Sequence, residues 1–142
     1  MTDPLNKAAT KAGLDLLRAD LTLAAVGVHD GEVPNGATRP YLLVYPWTSR
    51  PMDADSDALD GRSRTLLVRW ICHAVGETRE SAEAIAQRAQ DVLLDAIPTI
   101  PGYVVGVGLI KQESLSEPAP VDKVTGVALY DARATYVCRI TL

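Results

Sequence analysis

Residues 63–97 read SRTLLVRWICHAVGETRESAEAIAQRAQDVLLDAI, which is a strand pattern followed by a helix pattern. Residues 63–75 are rich in β-branched and aromatic residues, contain neither Gly nor Pro, and stop at Gly76. Thr78 can then cap a helix, because its hydroxyl can accept a backbone N–H that the first helical turn leaves unpaired. The segment therefore predicts a long strand, a short turn and a helix that Pro98 ends.

The predicted helix has one apolar stripe and one polar face. Its apolar residues recur at three- and four-residue steps between residues 82 and 97. Alanines dominate the first half of this stripe, so the helix can lie close to a sheet. The preceding strand offers a suitable surface, formed by Leu66, Val68, Trp70 and Cys72. The polar face, which includes Glu80 and Arg88, stays in water and is available to a neighbouring molecule.

The composition is that of an ordinary globular protein with one domain over residues 1–142. An apolar content of 47% and a charged content of 23% argue against wholesale disorder. The net charge of −4 argues against a general nucleic-acid or anionic-membrane binder, because such proteins carry an excess of Lys and Arg. We find neither a secretion signal nor a run of about 18 apolar residues, and we expect a cytoplasmic protein.

The rest of the chain alternates between helix, strand and loop patterns. A helical stripe starts after Pro4 and predicts a helix to about Leu21. Strand patterns at residues 23–28 and 40–47, joined by Asp-Gly and Asn-Gly turns, predict a hairpin with an edge strand at Pro46. Further strand patterns lie at residues 103–110, 124–130 and 133–142, with a polar connection at residues 113–122.

This order of elements predicts an α+β fold. We expect a mostly antiparallel or mixed β-sheet of about five strands, with two helices packed on one face. In the last segment, alternate residues are apolar, which predicts a strand with one buried face: Ala134, Tyr136, Cys138, Ile140 and Leu142.

Residues 48–62 form a long segment without a periodicity that would bury a face. Loops of this kind inside a compact domain are often functional, so this one is the first candidate for a contact surface. Its aspartates alternate as in a calcium loop, but Ala58 replaces the required Gly and Arg64 replaces the required Glu. We expect a solvated acidic loop, or one that meets a basic partner, and no metal.

No residue pattern typical of a catalytic or cofactor site is present. Residues 106–108 lack the third glycine of a dinucleotide fingerprint, and no helix pattern follows them. His73 lies in the long strand, where we expect a hydrogen-bonded structural histidine. Cys72 and Cys138 lie in strand patterns without histidines at ligand spacing, so we expect two buried thiols. The sequence predicts a protein that is not an enzyme and holds no cofactor.

The chain combines a predicted N-terminal helix, an aspartate-rich loop and three characteristic segments. The segments are RPYLLVYP (residues 39–46), VRWICHAVGETRESAE (residues 68–83) and YDARATYV (residues 130–137). In this combination the chain resembles the tail terminator proteins of long-tailed bacteriophages, also called tail completion or minor tail proteins. The resemblance covers most of the chain, and its best marker is the strand end, glycine turn and capped helix at residues 75–82.

The resemblance implies a structural virion protein that catalyses no reaction. Such a protein forms a homohexameric ring, ends polymerisation of the tail tube and joins the tail to the head-neck complex. The implied partners are further copies of itself, the major tail tube protein and a head-completion or neck protein. DNA would pass through the lumen without specific binding, because acidic side chains repel phosphates. The implied location is the head–tail junction of the virion, after assembly in the host bacterial cytoplasm.

The family offers no catalytic residues, so the candidate residues are interface candidates. They are Arg50, Met52, Asp53, Asp55, Asp57, Asp60 and Arg62 in the loop, Glu80 and Arg88 on the helix, and the turn at residues 29–39.

Two alternatives are also compatible with the sequence. A head-side neck protein, acting as a stopper or adaptor, would differ only in its neighbours within the particle. A small α+β enzyme or ligand-binding domain would have a concave pocket with His73 or His29 beside a carboxylate.

Overall fold

The computed structural model describes residues 4–49, 65–99, 110–121 and 129–141. Within these ranges the chain forms three helices and six strands. The helices are α1 (Pro4–Ala19), α2 (Leu21–Val26) and α3 (Arg79–Leu93). The strands are β1 (Val28–Asp30), β2 (Tyr41–Ser49), β3 (Thr65–Gly76), β4 (Lys111–Leu115), β5 (Ala119–Val121) and β6 (Leu129–Thr141).

The described strands form one mixed sheet in the order β1-β2-β3-β6-β4, and β5 also pairs with β6. β1 runs parallel to β2, whereas every other pairing is antiparallel. The α+β class predicted from the sequence is confirmed. The described residues contain one more strand and one more helix than we predicted.

The helices cover one face of the sheet and form the core with it. Alternate residues of the long strands are buried on this face, as the period of a strand requires. They are Leu42, Val44, Val68, Trp70, Cys72, Ala74, Ala132, Ala134, Tyr136 and Cys138. Buried side chains of α1, α2 and α3 belong to the same cluster. The alternation predicted for β6 is thus confirmed at residues 134, 136 and 138.

The strand predicted at residues 23–28 is wrong, because a second helix occupies most of it. α1 ends at Ala19, and the side chain of Asp20 then accepts a hydrogen bond from the backbone N–H of Leu23 at 3.1 Å. This hydrogen bond caps α2, and the Leu23 side chain is buried in the core. The cap and the burial together favour a helix where the residue pattern alone favours a strand. Gly27, with φ at 102°, ends α2, and strand β1 begins at Val28.

The predicted hairpin between the first two strands is also wrong. Val28 pairs with Leu42 in a parallel register, so residues 31–40 cross to the other end of the strand instead of reversing the chain in place. The edge position predicted at Pro46 is confirmed within the described residues. β1 covers residues 42–44 of β2 only, and Pro46, which has no N–H to donate, lies beyond this pairing.

α3 starts where the sequence predicts and ends earlier. Thr78 caps it by accepting a hydrogen bond from the backbone N–H of Ser81 at 3.1 Å, and the Ser81 hydroxyl accepts one from the Thr78 N–H. The helix ends at Leu93, four residues before the predicted end. The backbone of Asp95 has φ at 62°, and its N–H donates to the carbonyl of Ile110 at 2.8 Å. Pairing with Ile110 therefore replaces the last helical turn.

The second half of the chain contains strands where we predicted a polar connection. β4 and β5 lie in residues 111–121, and their backbones pair with β6 although their side chains are mostly exposed. Charged residues and proline on an edge strand discourage further pairing, which explains their polar sequence. The strands predicted at residues 103–110 and 124–130 fall almost entirely outside the described residues.

Candidate assembly surface

The outer sheet face is the side of β2, β3 and β6 that points away from the helices. The side chains of these strands alternate between the two faces, so the outer face carries every second residue. It comprises Tyr41, Leu43, Tyr45, Trp47, Leu67, Arg69, Ile71, His73, Asp131, Arg133, Thr135, Val137 and Arg139. None of the described helices contributes to this face.

Trp47 is the most prominent side chain of the outer sheet face. It is 57% exposed, and its neighbour on the same side of the strand, Tyr45, is 41% exposed. The guanidinium carbon of Arg69 lies 5.7 Å from the centre of the Trp47 ring, a cation–π distance. Nε of Arg69 also donates to Oε2 of Glu113 at 3.0 Å, which fixes the guanidinium. Trp, Tyr and Arg are the residue types enriched in the energetic centres of protein interfaces.

Both histidines lie on the outer side of the sheet next to a tyrosine. Nδ1 of His73 lies 2.9 Å from Oδ2 of Asp131, so the hydrogen bond predicted for this histidine is confirmed. The ring of Tyr45 meets the His73 ring edge-on, with centroids 5.7 Å apart, and Tyr41 meets His29 in the same way at 5.6 Å. The His73–Asp131 pair supplies the carboxylate that the ligand-binding alternative requires.

A cavity of about 240 Å³ lies elsewhere, between α3 and the connection from β4 to β5. We call it the α3–β4 cavity. Its lining includes Arg79, Glu83, Gln87, Leu115 and Glu117, and neither histidine belongs to it. Nη2 of Arg79 lies 3.8 Å from Oε2 of Glu117, and Leu115 is 57% exposed. The cavity is therefore a solvent-facing concavity lined by both apolar and charged side chains, and neither His73 nor Asp131 lines it.

The interface candidates on α3 have different surroundings. Glu80 is exposed in the first turn of the helix. Nε of Arg88 donates to both carboxylate oxygens of Asp20 at 3.0 Å, which joins α3 to the cap of α2. The hydrogen bond from Arg88 lowers the pKa of Asp20, and the same bond raises the pKa of Arg88. Arg88 thus forms an ion pair within the chain.

The remaining interface candidates fall outside the described residues. They are Arg50, Met52, Asp53, Asp55, Asp57, Asp60 and Arg62. The turn at residues 29–39 is described, and Glu32, Pro34, Asn35 and Gly36 are exposed there. Sequence reasoning missed the outer sheet face, although the strand period contained a signal. Tyr41, Tyr45 and Trp47 share one side of the predicted strand, whereas Leu42 and Val44 occupy the other.

The described part of the chain contains no cluster of residues that could hold a metal ion. The side chains of Cys72 and Cys138 are both buried, which confirms the prediction of two buried thiols. Burial raises the pKa of Cys72 to about 12 and that of Cys138 to about 11. Neither thiol is activated for nucleophilic attack, because the thiolate is the reactive form. Among the described helices, none has the length and apolar character required to cross a bilayer.

The fold and surface together define an α+β domain with one helix-covered sheet face and one aromatic outer face. No protein-family model matches the sequence, and no curated protein matches it significantly. Solved structures share the fold. A chain from the virion of a native gene transfer agent particle aligns with 99% of this chain and 100% of its own, at a TM-score of 0.69 and 15% identity.

Two further solved structures are similar to this chain over most of its length. One, whose name gives no function, covers 100% of this chain and 97% of its own, with a TM-score of 0.61 and 16% identity. The gp17 protein of bacteriophage SPP1 covers 96% of this chain and 90% of its own, with a TM-score of 0.49 and 16% identity. At these identities the first two comparisons establish a shared fold.

Proposed function

We propose that this chain is a structural protein of a phage-type virion, and specifically a tail terminator. The observation that carries the proposal is the shared fold with a chain of a gene transfer agent virion, over nearly the whole length of both chains. The resemblance of residues 39–46, 68–83 and 130–137 to tail terminators gives independent support. The protein would form a ring at the head–tail junction, end tube polymerisation and catalyse no reaction.

The energy for this function comes from buried interfaces. An exposed Trp beside an Arg and a Tyr offers the anchor residues that such an interface needs. The partners are further copies of the chain in a hexamer, the major tail tube protein and a head-completion or neck protein. DNA crosses the ring without specific binding, in agreement with the net charge of −4, since phosphates are repelled by an excess of carboxylates.

Co-expression with the cognate tail tube protein tests the proposal. With this chain present, we expect tubes of uniform length whose ends carry a ring of extra density in electron micrographs. Without it, tubes should vary in length. Tubes that are equally variable with and without the chain would contradict the proposal. Crosslinking in intact particles separates the tail terminator from a head-side neck protein, because only the former has the tube protein as a direct neighbour.

A further inference from the structure

One cavity of this chain is large enough to receive one of its exposed side chains. Trp47 projects from the outer sheet face with 57% of its surface exposed. The α3–β4 cavity has a volume of about 240 Å³. A cavity of about 150 Å³ takes up a benzene-sized ring, so the α3–β4 cavity can hold an indole. Its exposed Leu115 and half-buried Ala86 offer apolar contacts to such a ring.

The two features lie on opposite sides of the molecule. Trp47 belongs to β2, which neighbours the β1 edge, and it points away from the helices. The α3–β4 cavity lies on the helix side, next to β4 at the other edge of the sheet. A chain therefore cannot fill its own cavity with Trp47. One neighbouring copy also cannot engage both features at once, because they face in different directions.

The two surfaces carry complementary charges. Among the outer-face residues of β2, β3 and β6, three are arginines and one is an aspartate: Arg69, Arg133, Arg139 and Asp131. Glu113 of β4 pairs with Arg69 on the same face, so basic residues exceed acidic ones there by one. Around the cavity and the shallower groove that shares Glu83 and Gln87 with it, acidic residues outnumber basic ones. These residues are Glu80, Glu83, Glu117 and Arg79. Such complementarity orients two copies and disfavours the contact of like faces.

We infer that Trp47 of one copy inserts into the α3–β4 cavity of the next copy. The contact is heterologous, with different surfaces of the two copies meeting head to tail. Repetition of a heterologous contact gives a closed ring or an open filament. The inference rests on the proposed function for ring closure, and it assigns the two surfaces that the ring would use.

Three single variants test the contact by analytical ultracentrifugation. Trp47→Ala removes the inserted side chain, and Gln87→Trp places a bulky group in the cavity. We expect each to weaken self-association by at least about tenfold, as for a central anchor residue. Leu21→Ala is the matched control, because Leu21 is 87% exposed on α2, away from both surfaces, and its loss should change nothing. Circular dichroism checks that each variant is folded.

Mixing the two weakened variants gives the decisive result. The Trp47→Ala chain keeps its cavity and the Gln87→Trp chain keeps its Trp47, so the mixture should form a one-to-one dimer and nothing larger. Wild-type association by the Gln87→Trp chain alone would indicate that like faces meet, and would overturn the inference. A wild-type protein that stays monomeric at all concentrations would also overturn it.

A second measurement separates a protein partner from a nucleic acid. Aromatic and basic side chains on a sheet can also stack the bases of single-stranded DNA. We expect oligothymidylate to leave the fluorescence of exposed Trp47 unchanged at physiological salt. Strong quenching that disappears in Trp47→Ala would assign the outer sheet face to nucleic acid and overturn the inference.

The tube-length experiment distinguishes a failure of this inference from a failure of the proposed function. If Trp47→Ala and Gln87→Trp both end tubes as the wild type does, the inference fails and the proposed function stands. If the wild type associates with the expected mutational pattern but does not end tubes, the proposed function fails and the inference stands.

Discussion

The indole of Trp70 lies directly against Gly13, so that α1 and β3 meet without a side chain between them. A Cβ built on Gly13 would lie 2.2 Å from Cε2 of Trp70 and 2.4 Å from its Nε1. Nε1 donates a hydrogen bond to the carbonyl oxygen of Thr10 at 3.0 Å, which fixes the ring in this position. The largest buried side chain of the core therefore depends on a glycine inside a helix.

Gly13→Ala should destabilise the protein. Helix propensity alone would predict a gain of about 1 kcal/mol, because glycine is a poor helix former. The steric conflict with a rigid, fully buried indole has the opposite sign, and overpacking of this kind costs about 1–3 kcal/mol. Urea denaturation followed by circular dichroism measures the net effect. The penalty should be smaller in a Trp70→Phe background, and a more stable Gly13→Ala protein would contradict the contact.

Thr78→Ala should lower the free energy of unfolding by about 1 kcal/mol, the usual cost of losing a helix cap. The Thr78 hydroxyl accepts the Ser81 N–H at 3.1 Å, and alanine leaves that donor without its partner. Thr78→Ser is the matched control, since serine keeps the hydroxyl, and its stability should be close to that of the wild type. Equal losses in both variants would show that the methyl group, and not the cap, is responsible.

Local signals explain why the central part of the fold could be predicted. The strand ending at Gly76 and the helix capped by Thr78 depend on residues that are adjacent in the sequence, and both were found within two residues of their observed starts. Only the structure explains why residue 76 is a glycine. A Cβ there would lie 2.8 Å from the backbone nitrogen of Ala82, so the turn needs its glycine for space.

The elements that were missed depend on contacts between distant residues. The early end of α3 is caused by hydrogen bonds to Ile110, and β4 and β5 exist because β6 pairs with their backbones. No local pattern contains that information. The outer sheet face could be partly predicted, since the strand period places Tyr41, Tyr45 and Trp47 together. The hydrogen bond from Arg69 on this face to Glu113 could not be predicted, because 44 residues separate the two partners.

Neither cysteine should react with a thiol reagent in the folded protein at pH 8. Burial raises the pKa of Cys72 to about 12 and that of Cys138 to about 11, so almost no thiolate is present, and access is blocked as well. In guanidinium chloride, both thiols should react at the rate of an unfolded chain. Labelling followed by mass spectrometry measures this. Rapid modification of either thiol in the native protein would contradict its burial.

The ion pair between Asp20 and Arg88 should make stability depend on pH in the acidic range. The hydrogen bond from Arg88 lowers the pKa of Asp20 in the folded state below its unfolded value of about 3.9. The stabilisation is therefore fully present above about pH 4 and is lost as the pH falls through the lower, folded pKa. Asp20→Asn isolates this effect, because asparagine is an equally good cap for α2. The variant should be less stable than the wild type at pH 7, and the difference should shrink below pH 4.

Urea denaturation at a series of pH values measures this difference. Lys11→Met is the control, since Lys11 forms an exposed pair with Asp15 at 3.7 Å, and such pairs contribute about 0–1 kcal/mol. It should behave like the wild type throughout. A difference between Asp20→Asn and wild type that is the same at pH 7 and at pH 2.5 would assign the effect to packing instead of charge. Arg88→Met should also be less stable than the wild type at pH 7, because it removes the hydrogen bond that contributes most to lowering the pKa of Asp20.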